Sequence, residues 1–178
     1  DHRFDLAKSL TNLGKTLSEL DRWVEALEAE QEAIALYRLL ADADPDEHRH
    51  DCAKSLFNLG VTFTQLDRLA EARNAEQEAV TLYRQLAATH PEHHRQDLAD
   101  SLTSLGMTLL LLGRPAEALH AQEEAITIYR RLAETNAGTH RPHLADALTN
   151  LSVTLSALRS EEEALRAQKE AEFIRRGQ

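Results

Sequence analysis

Residues 5–41, DLAKSLTNLGKTLSELDRWVEALEAEQEAIALYRLLA, return at 51–87 as DCAKSLFNLGVTFTQLDRLAEARNAEQEAVTLYRQLA. A shift of 46 residues lays the chain on itself without a gap, and 27 of 46 positions in the first two units are identical. A third copy begins at Asp97 and a fourth at His143. A fixed period of this length marks an architecture in which each unit is one supersecondary element stacked on the next. We therefore read residues 1–178 as a single array, with repeats at about 5–50, 51–96, 97–142 and 143–178.

Each unit reads as two amphipathic helices. Leu6, Leu10, Leu13, Leu17 and Leu20 recur three and four apart, which puts them on one helical face. Ala26, Leu27, Ala33, Ile34, Tyr37 and Leu40 repeat the pattern in a second helix. Asp5, Asp51 and Asp97 suit N-caps of the first helices. Short polar turns join each pair at 20–22, 66–68 and 112–114, and Pro115 fits a first helical position. Longer loops are expected around Pro45, Pro91 and Gly138. Gly14, Gly60 and Gly106, with Ser152 in the fourth unit, fall mid-helix. Glycine there costs about 1 kcal/mol of helix propensity. The compensation we expect is close contact with the paired helix, where Ala26, Ala72, Ala118 and Ala164 keep the surface small.

Composition agrees with an all-α chain. Apolar residues make up 42% and aromatics only 4%, with few Gly and Pro. The formal net charge is −10 and no basic stripe offsets it, which argues against nucleic acid and against an anionic membrane surface. The densest apolar run, Leu109 to Leu112, is far short of the ~18 residues that span a bilayer. Cys52 is the single cysteine and takes the position of Leu6, Leu98 and Leu144, so we read it as a small core residue. One cysteine and no export-signal pattern point to a cytoplasmic setting. A chain that opens on Asp rather than Met reads as a piece of a longer protein. No phosphate loop, dinucleotide fingerprint, nucleophile elbow or helix-borne zinc motif is present, so we expect neither an enzyme nor a cofactor. Glu123 and Glu124 read as a solvated face.

Leu10, Leu13-Gly14, Leu17, Ala26 and Ala33 sit at the offsets of the tetratricopeptide repeat, and the same pattern occurs in all four units. The chain therefore resembles that family over nearly its whole length. The resemblance implies an α-solenoid, a right-handed superhelix of four antiparallel helix hairpins. The unit exceeds the usual 34 residues. It is more similar to the extended repeats of kinesin light chains and of large bacterial and fungal sensor proteins, as in His48-Arg49-His50-Asp51-Cys52-Ala53 and Leu56-Phe57-Asn58-Leu59. The extra residues should lengthen both helices by roughly one to two turns each. Two departures stand out. The aromatic usual four residues after the first alanine is replaced by Glu30, Glu76, Gln122 and Gln168, and Ser152 replaces the glycine.

The resemblance also implies a concave groove lined by the first helices. The rows opposite the leucine stripe carry Lys8, Asn12 and Lys15 in the first unit and Lys54, Phe57, Asn58 and Val61 in the second. They carry Asp100, Ser104, Met107, Leu110 and Leu111 in the third, and Asn150 and Val153 in the fourth. Phe57, Val61, Met107, Leu110 and Leu111 are large and apolar on a stripe outside the core, which marks either helix–helix contact or a binding surface. Asn12, Asn58 and Asn150 share one position, where an amide can both donate to and accept from an extended peptide backbone, or bond within its own groove. A clamp for chaperone C-terminal carboxylates is disfavoured, because Asp100 stands where a cation is needed.

His2, His48, His94 and His140 recur at 46 residues, each followed by Arg, with His50, His90, His93 and His143 in the same loops. A helix-start or loop role in every unit is simpler than four metal sites. The leading function is a scaffold binding a peptide or partner helix in the groove. The alternatives are a structural spacer or homo-oligomerisation segment acting through sticky solenoid ends near Phe173 and Ile174, and a sensor array of a larger signalling ATPase.

Overall fold

Only Asp44 stands outside a helix between Ala43 and Pro45, and the same one-residue break recurs at His90 and Asn136. The longer loops expected around Pro45, Pro91 and Gly138 are therefore absent; those residues lie in the first turns of helices. The computed structural model describes residues 2–177, and among them every regular element is an α-helix. The order is α1 (His2–Glu19), α2 (Trp23–Ala43), α3 (Pro45–Gln65), α4 (Leu69–Thr89), α5 (Pro91–Leu111), α6 (Pro115–Thr135), α7 (Ala137–Ala157) and α8 (Glu161–Arg176). The fold is all-α, of the helix-hairpin solenoid class.

Asp51 and Asp97 are helical rather than capping, and Asp5 lies inside α1. The caps come earlier. Asp44 accepts a hydrogen bond from the Glu47 amide at 3.2 Å, with Pro45 at the first helical position. Asn136 does the same for the Thr139 amide at 3.3 Å. A capping side chain at Asp44 and Asn136, and a proline whose φ already suits a helix at Pro45 and Pro91, start these helices six residues ahead of the boundaries at 51, 97 and 143. The residues beyond the usual repeat length thus become helix, and α2 to α7 are each 21 residues long.

Within each hairpin the first helix ends the same way. Asp21, Asp67, Gly113 and Arg159 take positive φ of 58, 58, 71 and 61°. The following amide reaches back five residues: Arg22 to the Leu17 carbonyl, Arg68 to Phe63, Arg114 to Leu109 and Ser160 to Leu155, each at 2.9 Å. The left-handed residue itself bonds three back, as Asp21 does to Ser18. This pair of bonds satisfies carbonyls that the last helical turn leaves open. Arg22 and Arg114 then pair with Glu25 and Glu117 at 2.6 Å, but these are exposed and add little stability.

The chain divides into two compact units, one reaching to Pro91 and one starting at Glu92. The first holds α1–α4. In it α1 pairs with α2, α3 pairs with α4, and α2 packs on α3. Its core is Leu17, Ile34, Tyr37, Leu56, Phe63, Val80 and Tyr83 with the alanines at 26, 33, 72 and 79. The second unit holds α5–α8, where α7 pairs with α8 and α6 packs on α7. Its core is Leu102, Leu109, Ile126, Tyr129, Leu148 and Leu155 with the equivalent alanines. Cys52 is buried in the first unit, and burial pushes its thiol up to about 11. No described helix is long and apolar enough to cross a membrane.

Candidate interaction surface

The first helices are held against their partners through the mid-helix glycines. A Cβ at Gly14 would lie 2.7 Å from Glu30 Cγ; at Gly60, 2.5 Å from Glu76 Cγ; at Gly106, 2.7 Å from Gln122 Cγ. Glu30, Glu76 and Gln122 are the residues that replace the aromatic usual in the family, and all three are buried. Their stems fill the space each glycine leaves. The alanines at 26, 72 and 118 are buried as expected, but the contact that demands glycine comes from the Glu or Gln one turn further on. In the first unit the Thr62 hydroxyl of α3 hydrogen-bonds the Glu30 carboxyl, yet burial dominates and pushes its pKa up to about 7.

That arrangement sets which face of each first helix turns outward. In the first unit Lys8, Asn12 and Lys15 are exposed on α1, and Lys15 lies 3.8 Å from Glu19. On α3 Lys54 is exposed, while Phe57, Asn58 and Val61 are half-buried. Thr11 and Ser55, 3.2 Å apart, link α1 to α3 beside this row. In the second unit Asp100, Ser104, Met107 and Leu110 are half-buried on α5 and Leu111 is exposed. On α7 Asn150 is half-buried and Val153 exposed. The structure thus brings Lys8, Asn12 and Lys15 into one unit with Lys54, Phe57, Asn58 and Val61, and the other seven predicted residues into the second. The side-chain amides of Asn12, Asn58 and Asn150 make no hydrogen bond among the described residues.

Asp100 is less available than its neighbours. The Tyr129 hydroxyl donates to it, and His143 stacks on the Tyr129 ring, 5.8 Å between centroids and 10° between planes. A ring nitrogen of His143 lies 3.9 Å from the same carboxyl oxygen. Burial raises the Asp100 pKa, against the hydrogen bond from Tyr129. Burial, then the charge of Asp100, raises that of Tyr129. The equivalent pair in the last hairpin is Asp146 and Arg175, which meet at 2.9 Å, while Arg175 also donates to Thr149 at 2.9 Å. Sequence reading missed these clasps. The only signal was Tyr37, Tyr83 and Tyr129 recurring at 46 residues, with Arg175 next in the series.

The histidine ladder sits in helices, not loops. His48 and His140 occupy the first turns of α3 and α7 and are buried. Phe4 packs on His48 with ring centroids 5.3 Å apart. This is the helix-start role that the 46-residue recurrence predicts.

A second surface was not anticipated. Between α2, α3 and α4 a cavity of about 310 Å³ is floored by Leu56, Leu59 and Phe63 and crossed by the Arg38–Glu78 pair at 2.6 Å. Two repeats on in sequence, Leu148, Leu151 and Leu155 floor a cavity of about 410 Å³ crossed by Arg130–Glu170 at 2.9 Å.

The tetratricopeptide repeat family profile matches residues 6–49, 52–94 and 98–136. The chain belongs to the tetratricopeptide repeat family. Among solved structures this tetratricopeptide chain is similar to BtubC (BKLC) from P. vanneervenii, at 19% identity and a TM-score of 0.82, over 97% of this chain and 64% of that one. It is similar to MamA at 20% identity and a TM-score of 0.70, over 96% and 79% of the two chains. The apo form of RapI shows 12% identity and a TM-score of 0.79, over 96% and 56%. The chain spans less than two thirds of BtubC and of RapI, and at these identities the likeness carries the fold alone. No curated protein sequence matches it. Tetratricopeptide repeats are in general protein-interaction scaffolds, which supports a scaffold role for this array.

Proposed function

We propose that the chain takes a peptide or partner helix along the outward rows of its first helices. The observation that carries this reading is the state of Asn58 and Asn150. Both are half-buried, both hold the same repeat position, and neither amide bonds to the protein among the described residues. Both amides are open to water, which the polar groups of a bound backbone can replace. An extended backbone offers the matching donor and acceptor. Met107, Leu110, Leu111 and Val153 add apolar surface to the same rows in the second unit. Lys8, Lys15 and Lys54 give the first unit a cationic edge in an otherwise acidic chain. We assign one row to each repeat, with the repeats bounded at 5–50, 51–96, 97–142 and 143–178.

The test is capture of peptides from a displayed library by the whole chain. Leu111→Lys and Met107→Glu should each abolish capture while helical content by circular dichroism stays the same. Capture that survives both changes overturns the reading.

A further inference from the structure

The two leucine-floored cavities are one feature met twice. Their linings correspond at an offset of 92 residues, two repeats: Arg38, Leu56, Leu59 and Glu78 answer to Arg130, Leu148, Leu151 and Glu170. Three helices bound each cavity, α2, α3 and α4 in the first unit and α6, α7 and α8 in the second. The first is present with α1 before it and α5 after it in the chain, so the cavity is a property of the repeat and not of a chain end.

The first cavity is lidded by its own side chains. The Arg68 guanidinium lies 4.7 Å over the Phe63 ring of the floor and donates to Glu71 at 3.0 Å. Arg38 pairs with Glu78, and the remaining polar walls, Gln31 and Asn74, are neutral. Every charge lining this cavity therefore has an opposite charge beside it. The second cavity has no such lid. Ser160 holds the place of Arg68 and Leu155 that of Phe63, and the space is larger, about 410 against 310 Å³. Glu163, the counterpart of Glu71, is left without its arginine, and Glu123 stands where the first unit has Gln31. Arg130 is engaged by Glu170 at 2.9 Å and Arg166 by Glu162. Glu123 and Glu163 have no ion-pair partner among the described residues. The offset of 40 residues that joins Arg130 of α6 to Glu170 of α8 also sets Glu123 opposite Glu163, about two turns away on the same cavity.

We propose that the second cavity is a binding site for a small amine with an apolar body, an arylalkyl- or alkylammonium ion. Leu119, Leu148, Leu151 and Leu155 take the body, and Glu123 and Glu163 receive the ammonium group. The volume falls within the roughly 300–1,000 Å³ of small-molecule pockets. Two carboxylates facing each other beside an apolar floor repel; a cation between them relieves that repulsion, and an anion of the same shape adds to it. The Arg130–Glu170 pair crosses the cavity beyond them, which suits a compact ligand better than a chain running through. The site is separate from the outward rows of the first helices. It uses Leu148, Leu151 and Leu155 of α7, not Asn150 and Val153, so either reading can fail alone.

The experiment titrates the whole chain with phenethylammonium, protonated at neutral pH as a lysine is, and follows the leucine methyl signals by NMR. Leu119, Leu151 and Leu155 should shift saturably, while Leu56 and Leu59 of the lidded cavity should not. Hydrocinnamate, an anion of similar shape, should bind at least about tenfold more weakly. Glu163→Gln and Glu123→Gln, both at exposed sites, should each weaken the amine by about tenfold. Ser160→Arg copies Arg22, Arg68 and Arg114 of the other hairpins and removes no capping bond. It should supply Glu163 with its missing cation and abolish binding. Equal binding of amine and anion, no saturable shift, equal shifts at Leu56 and Leu59, or insensitivity to both Glu163→Gln and Ser160→Arg overturns the proposal. So does the same set of shifts on adding calcium chloride alone, since a bare cation would then be the occupant.

Discussion

The two units solve one contact with two chemistries. In the first unit the stem of Glu30 lies over Gly14 and its carboxyl meets Thr62. In the second, the stem of Gln122 lies over Gly106, and neither atom of its amide has a hydrogen-bond partner among the described residues. Thr154, at the repeat position of Thr62, is buried with its hydroxyl unpaired. A Cβ on either glycine would lie 2.7 Å from the Cγ of that stem, so the shared requirement is an aliphatic stem over a glycine. The head group is free to vary, and it decides how each unit responds to pH.

The largest expected effect separates the units by protonation. Glu30 is raised to about 7 in the folded protein by burial. A carboxyl raised on folding contributes stability that is complete below its unfolded pKa and is lost as pH climbs through the folded one. Between about pH 4.5 and 7 the chain should lose up to about 3 kcal/mol from this group. Glu30→Gln, which copies the second unit, should remove that slope and raise stability at pH 8. Urea unfolding at pH 5 and pH 8 reads both. An unchanged slope in the variant would mean that Glu30 is already ionised in the folded state.

The next comparison concerns the glycines. Alanine at Gly60 would gain about 1 kcal/mol of helix propensity. Its Cβ would sit 2.5 Å from Glu76 Cγ, the root of a buried side chain and not its flexible tip. Overfilling of this kind costs about 1–3 kcal/mol, so the net should be destabilising, and less so at Gly106, where the gap is 2.7 Å. Gly138→Ala, whose nearest atom is 3.9 Å away, should show no such loss in the same thermal melts. The fourth hairpin already carries the exception. Ser152 brings a Cβ to this position, and the opposing Gln168 is exposed instead of buried.

Much of this was legible in the residues. The 46-residue period gave the hairpins, and mid-helix glycine gave close helix approach, because both are local rules repeated four times. Asp51 and Asp97 look like caps and set the expected helix starts six residues late, whereas the stronger signal is Asp44 followed by Pro45. The Asp100–Tyr129 clasp joins residues 29 apart on facing helices, and no local pattern reports such a contact. The exposure of Lys8, Asn12, Lys15 and Lys54 followed from periodicity.

The smallest expected effect sharpens the contrast at the hairpin turns. All four first helices end on a left-handed residue, but only the second unit uses glycine there, at Gly113, and it also uses the least suited residue, Arg159. An ordinary side chain in this conformation costs roughly 1–2 kcal/mol, and Asp less, because its short polar side chain can bond locally. Arg159→Gly should therefore raise the unfolding midpoint, with a gain near 1 kcal/mol reduced slightly by the extra freedom glycine gives the unfolded chain. Asp21→Gly in the first unit should gain less, and Gly113→Ala should lose about what Arg159→Gly wins. The amide that follows, Ser160 to the Leu155 carbonyl, is unaffected by the substitution, so the measured change isolates the backbone conformation itself. A larger gain at Asp21 than at Arg159 would show that side-chain contacts, not the left-handed φ, control the ends of these helices.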